Sequence, residues 1–306
     1  MHWILSSPNN FSLTRTIRRS QDFLLPPFGV NQTQGQLERV ERLASKHTVA
    51  LTISQVPAGL QLEVHQQLTG DETEEISHKT WRMLRLGENF TPFLLRARED
   101  PLLRQRVQQG ARFLRGATFF EDLVKALIVT HSPQHGEAQI AWLVDRLGDS
   151  LPSNPTRHAF PTPQQFLWNQ LLLNEILGRA LGQTLHTMVE RFQAHGDKFE
   201  TLIHPRLPLK TVETCLTRLL GLDNGTLALA MLALGRYDYL PTALHAPQAR
   251  NLADTPGAAK AGSEEILARL RPWQPWGGLV YWLWDWTAHL AQVAREGESN
   301  VGGTTN

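Results

Sequence analysis

The chain of 306 residues has a single cysteine, Cys215. No disulfide can form within it, and no thiolate metal cluster or cysteine-held iron–sulfur cluster is possible. That usage suits a reducing cytoplasm. Cys215 lies on an apolar helical face and reads as a small buried hydrophobe. Long apolar runs are missing too. Nothing approaches the roughly 20 residues of a membrane span, and the N-terminus MHWILSSPNN lacks a basic stretch followed by an apolar core. We expect no anchor, no signal peptide and no membrane partner, hence a cytoplasmic protein. Charge of one sign is also absent: 30 Lys and Arg face 29 Asp and Glu, a net +1. This balance speaks against tight non-specific nucleic-acid binding and leaves specific binding open. Basic residues do gather locally, at Arg15, Arg18 and Arg19 and at Arg104, Arg106, Arg112 and Arg115. A solvated surface is the ordinary use of such clusters.

What remains is the composition of a globular chain, 41% hydrophobic and 19% charged, long enough for two domains. Residues 1–92 show short runs with partial period-two alternation: His2–Leu5, Phe11–Thr14, Thr48–Ile53 and Leu60–His65. Pro57-Ala58-Gly59 reads as the hairpin turn between the last two. Thr33–Ser45 reads as a short helix or loop, and Glu74–Leu86 as a helix or an irregular segment. This predicts an antiparallel sheet with one or two helices.

From residue 93 to 295 the pattern is helical. Asp100-Pro101 opens one helix. Thr118, with Glu121 three residues on, opens another in capping-box fashion, and Pro133 ends it. Glu137–Leu147 follows, then a loop over Thr156–Pro163, a helix from Pro163 to Trp168, and a long stretch from Leu171 to Phe192 interrupted at Gly178 or Gly182. Pro208–Leu220, Leu227–Leu234, a helix opened by Ser263 and a last one over Trp276–Arg295 complete an all-α region. The tail from 296 to 306, rich in Gly, Thr and Asn, is expected to be disordered.

Between two of these helices lies Leu220-Gly221-Leu222-Asp223-Asn224-Gly225-Thr226. Gly221 can adopt positive φ, and Asn224 and Gly225 tolerate it, so the turn can be tight. The second helix would then begin with unpaired backbone N–H groups, which suit a phosphate oxygen. Two core helices joined by a glycine turn is the plainer reading of the same residues.

The turn resembles the helix-hairpin-helix of the DNA glycosylase superfamily. Other stretches resemble 3-methyladenine DNA glycosylase II and 8-oxoguanine glycosylase in the same order. They are Asp100–Leu103, Gly110–Arg115, Phe119–Ile128, Phe160–Phe166, Leu177–Gly182, Tyr237–Pro241 and Trp273–Trp276 with Tyr281 and Trp284. The resemblance spans residues 93 to 290. It implies an α+β, mostly α fold, in which an N-terminal TATA-binding-protein-like sheet precedes an all-α helix-hairpin-helix domain.

It also implies a monomer that binds duplex DNA and rotates a damaged base into a pocket. A carboxylate would stabilise the oxocarbenium-like state as the glycosidic bond breaks. The family's catalytic Asp position falls on Ala243, and its hairpin Lys position falls on Gly225. Lyase chemistry through that Lys is therefore not expected. Asp238 is the candidate catalytic carboxylate, with His245 a lesser one. Gly221, Leu222, Asn224, Gly225 and Thr226 are the implied DNA-backbone contacts. His131, Ser132 and Pro133 form the implied plug that fills the gap left by the flipped base. Trp273, Trp276 and Tyr281 are the implied base pocket, since aromatic faces stack on bases and most strongly on cationic ones.

No cofactor is expected beyond a K⁺ or Na⁺ ion held by hairpin carbonyls, again by resemblance. The implied activity is release of alkylated purines, which leave readily and ask little of the enzyme. A protein that kept DNA binding and lost catalysis is the alternative, and a protein-interaction role on the same fold is a third reading.

Overall fold

The computed structural model describes residues 1–21, 24–196, 199, 207–241 and 263–284. Five antiparallel strands, β1 (His2–Leu5), β2 (Phe28–Asn31), β3 (Gln36–Arg42), β4 (Thr48–Val56) and β5 (Gly59–Val64), form a sheet of order β1-β5-β4-β3-β2. Leu37 pairs with Ile53, Arg39 with Leu51, and Ile53 with Leu62. One face thereby carries Leu37, Val49, Leu51, Ile53, Leu60, Leu62 and Val64 into a buried cluster. Helix α2 (Gly70–Met83) contributes Ile76 and Met83 to it, and α1 (Leu13–Arg19) contributes Leu13. A capping box at Thr69 and Glu72 starts α2.

Two expectations fail in this half. Phe11–Thr14 is not a strand: Ser12 caps α1 by accepting from the Arg15 N–H at 3.3 Å. Residues 33–45 are neither helix nor loop, because β3 runs through them. Its Arg39 and Glu41 point to the core face and bury against each other as an ion pair. Charge at those positions hid a strand.

The helices that follow are α3 (Thr91–Ala97), α4 (Pro101–Gln108), α5 (Phe119–His131), α6 (Gly136–Leu147), α7 (Pro163–Trp168), α8 (Gln170–Leu177), α9 (Arg179–Ala194), α10 (Leu209–Cys215), α11 (Asn224–Leu234), α12 (Ser263–Leu270) and α13 (Gly277–Leu283). Asp100 accepts from the Leu103 N–H at 3.0 Å, as the Asp-Pro start implies. Thr162 and Gln165 form the capping box of α7. Gly178, at φ 79, divides α8 from α9. The expected capping box of α5 is half formed. Thr118 accepts from the Glu121 N–H, but the Glu121 side chain is drawn to other partners.

The region is not purely helical either. β6 (Ser150–Leu151) and β7 (Asn154–His158) make a small hairpin where a loop was expected. It covers the outer face of β3, where Val40 packs on Leu151 and Ala159. The main helical core gathers α5, α6, α8, α9 and α11 around Leu123, Leu127, Phe166, Leu185, Leu227 and Met231. A second cluster joins α3, α4, α12 and α13. The final predicted helix is described only to Leu283. Most of its expected length, and the 296–306 tail, lie outside the described residues.

Candidate nucleic-acid interface and base crevice

The hairpin begins where α10 loosens. Leu216–Leu220 form one π-helical turn, and Gly221 closes it at φ 75, in the left-handed region that glycine enters without cost. Leu222 then buries its side chain, with 6% exposed, and Asp223 caps α11. The Gly221, Asn224 and Gly225 positions are exposed at the tip, while Thr226 is fully buried. Asn224 and Gly225 are not positive-φ turn residues; they form the first turn of α11. Gly225 serves packing instead, since a Cβ there would lie 2.7 Å from Thr130 Cγ2 near the end of α5.

Two of the N–H groups expected to be free at this helix start are taken. Asp223 Oδ1 accepts from the Gly225 and Thr226 N–H groups, each at 2.9 Å. Its Oδ2 accepts from the Thr226 hydroxyl at 3.1 Å and contacts His131 Nε2 at 2.6 Å. Partial burial would raise the Asp223 carboxyl. The Thr226 N–H and His131 outweigh it and hold the group below its ordinary value. The segment expected to act as the plug thus meets the hairpin through His131. His131 ends α5, Ser132 caps it by donating its N–H to Ile128 O at 2.8 Å, and Pro133 is exposed beyond.

The aromatic residues are placed otherwise. Trp273 and Tyr281 are buried, with 6% and 4% exposed, in the second helical cluster. Trp276 stacks on Tyr237 with centroids 5.5 Å apart and packs on Phe93 at 5.6 Å. These rings are used on one another. Asp238 is held by Arg236, with Nε to Oδ1 at 3.1 Å and Nη2 to Oδ2 at 2.8 Å. Arg236 also donates to Leu207 O at 2.7 Å. Ala243 and His245 lie outside the described residues.

A crevice that the sequence did not reveal lies between the sheet half and the paired helices α5 and α11. It holds about 50 Å³ of free space and is walled by Leu25, Phe28 and Phe113 on one side. Ala126 and Val129 of α5, and Leu229 and Leu232 of α11, wall the other. Its lining follows both helices toward the junction where Thr130 meets Gly225.

The polar lining is Arg85, Arg115, Asp122 and Lys125. Lys125 Nζ donates to Glu121 Oε1 at 2.6 Å and to Leu25 O at 3.1 Å, and lies 5.1 Å from the Phe28 centroid. Burial lowers the Lys125 ammonium, only partly offset by Glu121. Asp122 accepts from the Gly116 N–H and pairs with Arg82. Burial raises its carboxyl despite Arg82 and Arg115. Arg115 donates to Arg82 O at 2.7 Å and Ala233 O at 2.8 Å. Its burial and the like charges of Arg85 and Arg82 pull it down to about 9. Arg85 adopts φ 53 just beyond α2 and donates to Phe113 O, Leu232 O and Glu88.

Three of these four polar lining groups are cations, and Lys125 and Arg85 pair with Glu121 and Glu88. The sequence signal was present: Glu121, Asp122 and Lys125 interrupt an otherwise apolar helix.

No family model and no curated protein matches this chain by sequence. Its structure is similar to that of the 3-methyladenine DNA glycosylase of Archaeoglobus fulgidus, with a TM-score of 0.68 and 20% identity over 92% of this chain and 96% of that one. It is also similar to the apo 8-oxoguanine glycosylase/lyase of Clostridium acetobutylicum, with a TM-score of 0.67 and 16% identity over 92% and 95%. The likeness holds for that enzyme in complex with double-stranded DNA containing cytosine opposite 8-oxoguanine: TM-score 0.66, 16% identity, 97% and 98% covered. Across nearly its whole length, the chain has the fold of these DNA glycosylases.

Proposed function

We propose that the protein binds damaged duplex DNA, turns one base out of the stack and takes it into the crevice between α5 and α11. The observation that carries this reading is the crevice's position. It follows the two helices whose ends form the His131 plug loop and the Gly221–Thr226 hairpin. A base extruded beside that junction has aromatic walls in Phe28 and Phe113 and polar groups beyond them. Free space of about 50 Å³ accommodates a few waters. A purine therefore enters by displacing them and by moving side chains at the mouth.

The proposed activity is N-glycosidic cleavage without a lyase step, because Gly225 supplies no amine. The preference for cationic alkylpurines weakens, however. The ease with which such bases leave still stands, but the aromatic pocket of Trp273, Trp276 and Tyr281 that would stack on them is packed upon itself. A wall carrying Arg85, Arg115 and Lys125 opposes a positive base and suits a neutral one with carbonyl acceptors. Catalysis by Asp238 is also weakened, since both its oxygens are held by Arg236. The alternative, a glycosylase-like DNA-binding protein without catalysis, is favoured by that pairing.

A K⁺ or Na⁺ ion at the hairpin fits the donor set. The Leu219 and Leu222 carbonyls accept no hydrogen bond among the described residues.

Duplexes carrying 8-oxoguanine, 3-methyladenine or 2-aminopurine test the reading. We expect fluorescence dequenching of 2-aminopurine on binding, and release of the oxidised base in preference to the alkylated one. Dequenching with no release of either base selects the non-catalytic alternative. Absence of both dequenching and salt-sensitive affinity removes the proposal.

A further inference from the structure

The hairpin is badly equipped to hold a phosphate by its own backbone. Two of the N–H groups at the start of α11 are taken by Asp223, and that carboxylate places a negative charge at the tip. The Gly221 N–H donates to Thr217 O at 3.0 Å, and the Leu222 N–H to Leu216 O at 3.4 Å. An incoming phosphate meets few open donors and one repelling group.

A cation is delivered from elsewhere. Arg191, in the last turn of α9, lays its guanidinium against the backbone of Gly221. A Cβ built on Gly221 would sit 2.5 Å from Arg191 Nη1. The Arg191 side chain is exposed and makes no hydrogen bond or ion pair among the described residues. An arginine with its whole donor fork open, beside a turn most of whose own donors are taken, is arranged for an anion with several acceptor oxygens. Gly221 has a second role in this arrangement. Besides entering the left-handed region, it leaves the space that Arg191 occupies. His131, hydrogen-bonded to Asp223 Oδ2, lies beside the one group at the tip that would repel phosphate.

We propose that the hairpin grips a DNA phosphate through Arg191, presented from α9 across Gly221, and not through the N–H groups of α11. The inference rests on the DNA-binding reading above.

The test is a salt series. The full chain is titrated into labelled duplex between 50 and 200 mM salt as wild type, Arg191→Gln, Arg191→Lys and Lys46→Gln. Lys46 is a lysine of the β3–β4 turn and serves as the control for loss of any surface charge. The expected result for Arg191→Gln is a log–log salt slope shallower by about 0.9, the value of one phosphate contact. Its affinity should fall at low salt and approach that of the wild type at high salt. Arg191→Lys should keep the wild-type slope, and so should Lys46→Gln. A wild-type slope in Arg191→Gln overturns the inference, as does an equal loss in Lys46→Gln. Both outcomes leave DNA binding itself standing. A wild type whose affinity ignores salt removes the DNA-binding reading and this inference together.

Discussion

Replacing Glu121 by glutamine removes the charge that ties the sheet half to α5. Glu121 is 1% exposed. Its Oε2 accepts from Arg39 Nη2 at 3.0 Å and from the Ala117 N–H at 2.9 Å, and its Oε1 accepts from Lys125 at 2.6 Å. Glutamine keeps the shape but leaves Lys125 without its carboxylate partner and Arg39 with Glu41 alone. Breaking a buried pair in this way costs about 3–5 kcal/mol. The titration of the group gives a similar figure. Burial alone would raise the Glu121 carboxyl, but Arg39 and then Lys125 override it and hold it at about 2, against a reference of 4.5. That gap corresponds to about 3 kcal/mol. Because the folded value is depressed, this stability is complete above pH 4.5 and disappears as the pH falls through about 2. Urea unfolding of wild type and Glu121→Gln at pH 7 should show the loss, and the two stabilities should converge below pH 4. A loss under about 1 kcal/mol at pH 7, or a difference that stays constant down to pH 2, would refute the reasoning.

Other substitutions probe the hairpin and the helical core. Asp223→Asn keeps an oxygen for the cap, so stability should change by only a few tenths of a kcal/mol in thermal melts. Duplex affinity should rise several-fold as the repelling charge goes. Phe166→Ala empties a fully buried site among Phe120, Phe160 and α9, and should cost about 3–5 kcal/mol in chemical unfolding. Gly182→Ala places a Cβ 2.9 Å from the Asn174 backbone, so α8 and α9 must part; a loss of about 1–3 kcal/mol is expected by the same measurement. The Tyr239 phenol is pushed up to about 12 by burial and then by the Glu213 charge. An absorbance titration should find it neutral at pH 11, where an exposed tyrosine has ionised, and its contribution to stability should fade as the pH rises from 10 through 12.

Features set by neighbours in sequence were legible before any coordinates. The caps at Asp100, Thr118 and Thr162, the break at Gly178 and the turn at Gly221 each depend on residues within one helical turn. What depends on distant partners was not. Arg39 reads as a solvated charge until Glu121, 82 residues away, is seen to neutralise it, and so β3 was missed. The crevice was hidden for the same reason, since Phe28, Phe113, Lys125 and Leu229 come from four separate segments. Asp223 shows a subtler limit. Its role as a cap follows from local sequence, but its contact with His131 joins two motifs that had been read apart.

Helix α11 is the second arm of the hairpin, and nearly all of it from Thr226 to Leu234 is buried. Most surface helices have a side on which sequence can drift. This one has almost none, because α5, the crevice and the second cluster each claim part of its circumference. A saturation scan should therefore read these positions as one continuous intolerant block, without the three-to-four-residue rhythm expected along α2. Such a block would look like a catalytic signature in a table of variants, although its cause would be lack of room.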